Sequence, residues 1–252
     1  MSHVESESPA AAAGRSFLRR SRGIRIFIRD LVVILVVAVI VSVAIKTYVV
    51  RSFYIPSGSM ENTLQVNDRI VVNELSPKLM PIQHGDVVVF KDPGGWLPHM
   101  APPVKNPFAA GIDWVTAAVG LSAPDSNDHL VKRAIGLPGD RVVCCNALGQ
   151  LSVNSVPLSE PYLKLPAGIT RGSGVDFSIT VPPASLWVMG DNRYNSEDSR
   201  AHTMTPTKGF VPMGDVVGRA FLITWPVQHW TWLEDYASVF GGVATSQPGI
   251  SR

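Results

Sequence analysis

From residue 31 to residue 45 the chain runs apolar and without a charge (LVVILVVAVIVSVAI). Residues 46–50 extend this to 20 residues, with Lys46 placed to snorkel and Tyr48 to sit at an interface. At about 1.5 Å per residue the run spans about 30 Å, the hydrocarbon thickness of a bilayer. A cleaved leader would be shorter and followed by a small-residue cleavage site. Ser42-Val43-Ala44 serves that purpose poorly, and Lys46-Thr47-Tyr48 serves it worse. A helix buried in a soluble domain would not show an unbroken apolar circumference rich in Val and Ile. The pattern predicts one uncleaved membrane helix over 31–50.

Beyond residue 51 the period changes. Short β-branched runs recur at 68–73 (DRIVVN), 86–90 (DVVVF), 130–135 (LVKRAI), 141–145 (RVVCC), 150–154, 185–189 (SLWVM) and 216–224 (VVGRAFLIT). Gly, Pro and Asn punctuate them, and Asn146-Ala147-Leu148-Gly149 reads as a hairpin turn. No long stretch here repeats at 3.6 residues, so the domain over 51–227 is predicted to be mostly β. Residues 94–128, dominated by Gly, Pro and Ala, read as a loop-like insertion in which 113–121 could form a short helix. The tail over 228–252 carries Trp230, Trp232, Tyr236 and Phe240 close together. It is too broken for a second span, and its aromatics suit either packing on the domain or lying at a membrane surface.

Charge orients this plan. Arg15, Arg19, Arg20, Arg22, Arg25 and Arg29 precede the apolar run, whereas only Lys46 and Arg51 flank its far side. The positive-inside rule then places residues 1–30, a small-residue tail and a basic stretch, in the cytoplasm and the β domain outside. Over 252 residues, 46% are hydrophobic and 17% charged, too much apolar surface for intrinsic disorder. A net charge of +2 gives no electrostatic reason to expect nucleic acid. The two cysteines, Cys144 and Cys145, exclude a disulfide framework and a Cys-rich zinc module. Strand alternation predicts one buried thiol and one nearer solvent rather than a bond between them.

The common hydrolase signatures are absent. There is no Gly-x-Ser-x-Gly elbow, no Ser-x-x-Lys and no His-x-x-x-His, so neither an α/β-hydrolase site nor zinc is indicated, and no cofactor is called for. Three other segments are too specific for scaffold. Pro56-Ser57-Gly58-Ser59-Met60 places two hydroxyls around a glycine where backbone can approach a substrate. Residues 130–140 set Lys132 inside an apolar strand that ends in Gly-Leu-Pro-Gly-Asp. Residues 190–200 (GDNRYNSEDSR) pack polar groups directly behind an apolar strand, as in a loop closed by internal bonds. Taken singly, each also fits an ordinary turn, an exposed strand lysine or a solvated loop.

In this order behind a single anchor, the three segments resemble the type I signal peptidases. Gly85-Asp86-Val87-Val88-Val89-Phe90 and Gly218-Arg219-Ala220-Phe221 extend the likeness to most of the chain outside 1–30, 94–128 and the tail. The resemblance implies an antiparallel β-sheet catalytic domain of the signal-peptidase type, and one anchor is similar to the Gram-positive form. It implies Ser59 as nucleophile and Lys132 as general base. It also implies that Ser57 donates its hydroxyl, with the Ser59 N–H, to the oxyanion. Ser196 is implied to orient Lys132, and Asp198 and Arg200 to hold the loop through a salt bridge. Arg133 and Asp191 are assigned orienting or structural parts. A lysine acts as a base only when neutral, so its pKa must fall, and apolar neighbours such as Leu130, Val131, Ala134 and Ile135 would lower it. Phe53, Ile55, Met60, Leu64 and Val131 are expected to line shallow pockets for small side chains, consistent with Ala-x-Ala cleavage. The sequence departs from the common pattern at Glu61-Asn62, Tyr194 and Glu197, none of which carries an assigned catalytic role.

The nucleophile would lie fourteen residues past Ile45, near the outer face of the plasma membrane. The implied partners are secretory preproteins and the lipid bilayer, with room for the translocation machinery and none for nucleic acid. An autocleaving repressor with the same dyad is disfavoured, because residues 1–50 hold an anchor rather than a DNA-binding helix-turn-helix. A membrane-anchored β domain that binds a partner without catalysis would need Ser59 and Lys132 to be dispensable.

Overall fold

The computed structural model describes residues 25–42, 49–77, 79–98 and 128–243. The chain divides into two units, Met1–Thr47 and Tyr48–Arg252. In the first, residues 25–42 form an α-helix, α1, whose large apolar side chains are exposed on every side. Among the described residues no helix is long and apolar enough to cross a membrane. The span expected over 31–50 is described as helix only through residue 42, and the basic residues 15–22 lie outside the described residues.

The second unit is antiparallel β. Its strands are β1 (Val50–Tyr54), β2 (Arg69–Asn73), β3 (Val87–Lys91), β4 (His129–Gly136), β5 (Arg141–Cys144) and β6 (Leu151–Val153). They continue as β7 (Val156–Pro157), β8 (Phe177–Thr180), β9 (Ser185–Met189), β10 (Val211–Pro212), β11 (Val216–Trp225) and β12 (Thr231–Trp232). One sheet runs β1-β2-β11-β3-β4-β9-β10, with β12 added to β11, and a smaller one runs β7-β6-β5-β8. Every β-rich run expected from sequence is a strand, to within two residues at its ends. The short strands β7, β10 and β12 have two residues each, too few to leave a periodic signal. Pro157 and Pro212 sit on edge strands, where a missing N–H costs no ladder bond.

Burial follows strand position. In β2, Ile70 and Val72 point into the core while Arg69, Val71 and Asn73 are half-buried. Central β3 is covered on both faces, so Val87, Val88, Val89 and Phe90 are all buried and the run reads as continuous rather than alternating. The expected hairpin at Asn146–Gly149 joins β5 to β6. Asn146 Oδ1 accepts from the Leu148 and Gln150 N–H groups, and Gly149 supplies a φ of +79°.

Two expectations are corrected or resolved here. Cys144 and Cys145 are joined in a vicinal disulfide across a cis peptide bond rather than standing as two thiols. Strand alternation does not separate them because β5 ends at Cys144, so Cys145 is free of the pleat. The tail, described to residue 243, packs on the domain there. β12 pairs with β11, and Phe240 and Val243 join the core around Trp187. Of the insertion, residues 94–98 and 128 are described, and the helix expected over 113–121 lies outside the described residues.

Candidate active site

Ser59 sits in a single 3-10 turn, Gly58–Met60, reached directly from β1. The turn is pinned by Met60 and Leu64, both buried among Phe53, Ile55, Ile70 and Val72. Lys132 lies mid-way along β4, paired in register with Val88 of β3. Its side chain is buried, 4% exposed, and its Nζ donates to Ser59 Oγ at 2.8 Å. Desolvation lowers the Lys132 pKa to about 8, against an opposing pull from Asp198, Glu197 and Asp191. Ser57 Oγ lies 3.3 Å from Ser59 Oγ.

These groups open on a cleft of about 120 Å³. Phe53, Ile55, Met60 and Val131 line it, as expected, together with Ser57, Ser59 and Lys132. Leu64 does not. It is fully buried in the core beneath, because the turn after Met60 carries it inward. Tyr54, Pro56, Leu97, His129 and Leu130 complete the wall. Leu97 lies within the insertion and His129 just after it, and nothing in their local sequence marks them as cleft residues.

Arg133, next in β4, faces away from the cleft. It forms a bidentate pair with Asp191 (Nε to Oδ1 at 2.9 Å, Nη2 to Oδ2 at 2.6 Å), and both side chains are wholly buried. Nη1 donates to the Gly85 and Glu234 carbonyls, and Nη2 also reaches Thr63 Oγ1. The guanidinium lies over the Tyr162 ring at 4.1 Å and the Tyr236 ring at 5.2 Å. Thr63 donates to Asp191 Oδ2 at 2.5 Å, tying the serine turn to this pair.

In the loop after β9, Arg200 clasps Asp198 through Nε (2.8 Å) and Nη2 (2.7 Å), and the Gly190 N–H donates to Asp198 Oδ2 at 3.0 Å. Burial raises the Asp198 pKa, but these bonds and the nearby Lys132 charge outweigh it, so the carboxyl is held below its ordinary range. Ser196 departs from expectation. Its hydroxyl is buried without a hydrogen-bond partner and so makes no bond to Lys132. It is packed against Gly190, where a Cβ would come within 2.2 Å of Ser196 Oγ and 2.4 Å of the Ser59 carbonyl. Only glycine fits there.

Asn192, in the same loop, was not singled out from sequence. Its backbone N–H donates to the Ser59 carbonyl at 3.1 Å, and its side chain reaches Gly58 O and Glu61. Its place in the Gly-Asp-Asn-Arg segment was the one available signal. Arg193 is buried with Glu160, an ion pair that braces the loop from below. Among the described residues no group of three or more His, Cys, Asp or Glu could hold a metal ion.

The arrangement has the parts for acyl transfer: a hydroxyl beside a buried amine of depressed basicity, a second hydroxyl, and a shallow apolar cleft. Comparison with known proteins points the same way. A family model described as "Signal peptidase, peptidase S26" matches residues 28–225. A signal peptidase I from Mycobacterium tuberculosis is 39% identical over 246 residues, covering 90% of this chain and 82% of its own. A probable signal peptidase I from Mycobacterium leprae is 36% identical over 228 residues, covering 80% and 77%. A probable signal peptidase I-2 from Synechocystis is 36% identical over 203 residues, covering 81% and 76%. A crystal structure of a signal peptidase I from Enterococcus faecalis V583 is 26% identical, covering 55% of this chain and 95% of its own. The TM-score between the two is 0.34.

Proposed function

The chain belongs to the signal peptidase family, peptidase S26, and is an enzyme of the signal peptidase I kind; from that premise we propose that Ser59 is its nucleophile and Lys132 its general base. The observation that carries this reading is the 2.8 Å bond between a buried Lys132 Nζ and Ser59 Oγ. Neutral Lys132 takes the Ser59 proton as Oγ attacks the carbonyl carbon of the scissile peptide bond. The oxyanion is held by the Ser59 N–H and the Ser57 hydroxyl. Collapse breaks the C–N bond, and the proton on Lys132 passes to the leaving amine. Water, deprotonated by Lys132, then releases the acyl group and restores Ser59.

The substrate is a secretory preprotein cut after small residues of the Ala-x-Ala kind, which suits a cleft of about 120 Å³ walled by Phe53, Ile55, Met60 and Val131. Residues 31–50 anchor the enzyme as a single membrane helix, with the basic segment 1–30 cytoplasmic and the catalytic domain 51–227 outside. The uncharged run 31–45 and the apolar surface of α1, exposed on every side, support this. Asp198 and Arg200 shape the loop beside Lys132. Arg133 and Asp191 shape the floor beneath.

Purified enzyme incubated with a presecretory protein tests the reading. Wild type should release the mature chain after Ala-x-Ala, and Ser59→Ala should release none. Cleavage by Ser59→Ala would remove Ser59 from the role.

A further inference from the structure

We infer that Asn192 is a positioning residue for the oxyanion hole, acting through the peptide plane between Gly58 and Ser59. This rests on the reading that Ser59 is the nucleophile and its N–H an oxyanion donor. Asn192 grips the carbonyls on both sides of Ser59. Its Nδ2 donates to Gly58 O at 3.1 Å, and its backbone N–H donates to Ser59 O at 3.1 Å. The second Nδ2 proton goes to Glu61 Oε2 at 3.0 Å. Both neighbours are acceptors only, so the network itself fixes which way the amide faces.

Across a planar trans peptide the C=O and N–H point in opposite directions. Holding Gly58 O on the Asn192 side therefore turns the Ser59 N–H to the other side, toward the cleft that Ser57 and Ser59 line. The Glu61 N–H adds a second, weaker hold on Gly58 O at 3.2 Å. A hydrogen bond to the carbonyl also polarises the peptide and strengthens its N–H as a donor.

Asn192 is itself fixed. It is 7% exposed, its backbone bridges to Lys164, and Lys164 Nζ holds Glu61 Oε2 at 2.7 Å. Lys164 and the bonded Asn192 keep the Glu61 carboxyl below its ordinary range, so the acceptor stays ionised at working pH. Glu61, one of the departures from the common family pattern, thus acquires a part: it is the far anchor of the amide.

The test separates transition-state from ground-state binding. A peptide aldehyde ending in Ala-x-alaninal bonds to Ser59 Oγ; the C=O π pair becomes the oxyanion and the Oγ proton passes to Lys132. The matching peptide alcohol binds without an oxyanion. Asn192→Ala should lose about tenfold or more in kcat and in aldehyde affinity, with KM and alcohol affinity nearly unchanged. Equal losses for aldehyde and alcohol, or a lowered melting temperature with wild-type kcat and aldehyde affinity, would overturn the inference. If Asn192→Ala does not fold, Glu61→Ala on the half-exposed rim should weaken the aldehyde more than the alcohol, by a smaller factor; no selective loss overturns it equally. Turnover by Ser59→Ala, or a wild-type enzyme that binds aldehyde no better than alcohol, would instead sink the underlying reading.

Discussion

Lys132 and Arg133 are neighbours on β4, yet each serves an opposite face of the sheet. Lys132 reaches Ser59 Oγ at 2.8 Å beside the cleft, and Arg133 is clasped by Asp191 at 2.6 Å beneath it. Both are cations buried below 5% exposure. One has only a hydroxyl within bonding distance and loses basicity; the other has a bidentate carboxylate and two aromatic faces and keeps its charge.

Activity should therefore rise with pH through a midpoint near 8, where burial places the Lys132 pKa. The amine is a base only above that value. Asp198 favours the protonated lysine, so Asp198→Asn should move the midpoint to lower pH. Lys132→Arg should be inactive at every pH, because guanidinium stays protonated. Initial rates on a peptide substrate from pH 6 to 10 check all three.

Stability should carry its own mark of the same burial. The folded pKa lies below the unfolded value of 10.5, so the unfolded chain binds more protons between about 8 and 10.5 and stability rises with pH across that window. Below about 8 the penalty is fully present, on the order of 3 kcal/mol. Lys132→Met should accordingly stabilise the enzyme at pH 7, by an amount that fades as pH approaches 10.5. Urea melts at pH 7 and pH 10 measure the difference, and a less stable variant at pH 7 would contradict it.

Breaking the lower pair should cost fold rather than chemistry. Asp191→Asn leaves Arg133 as a buried charge without its partner, a loss of roughly 3–5 kcal/mol. Arg133→Lys keeps the charge but forfeits the bidentate fork and the stacking on Tyr162 and Tyr236. Denaturation should show both losses, while kcat per titrated active site stays near wild type. A fall in kcat at unchanged stability would place Arg133 in the chemistry.

Ser57 divides a turn residue from an oxyanion donor. Ser57→Ala should lower kcat by about 10²–10³ with KM and melting temperature nearly unchanged. Ser57→Thr should recover part of the rate, limited by the stiffer β-branched side chain. Wild-type turnover by Ser57→Ala would remove the hydroxyl from the oxyanion hole and leave the Ser59–Lys132 assignment untouched.

What the sequence determined by itself was whatever rests on local pattern. The β character of 51–227 followed from period-2 and continuous apolar runs, and the hairpin at Asn146–Gly149 from turn chemistry. Ser57, Ser59 and Lys132 stood out as polar residues in segments that packing alone does not call for. The polar run 190–200 was legible as a loop closed by internal bonds, and the family resemblance singled out Asp198 and Arg200 within it.

Tertiary structure decided everything that depends on approach between distant segments. Leu64 and Met60 look equally suited to line a pocket, but only the path of the chain past the serine turn sends Leu64 into the core. Ser196 lies in the same loop as Asp198 and packs against Gly190, yet its hydroxyl finds no partner there. Cys144 and Cys145 meet because β5 stops between them. Arg133 meets the rings of Tyr162 and Tyr236, 29 and 103 positions away, and Asn192 holds carbonyls 133 and 134 positions before it. No periodicity records such contacts, because the hydrogen bonds and packing that specify them exist only once the sheet has brought β1, β4 and β9 to one place.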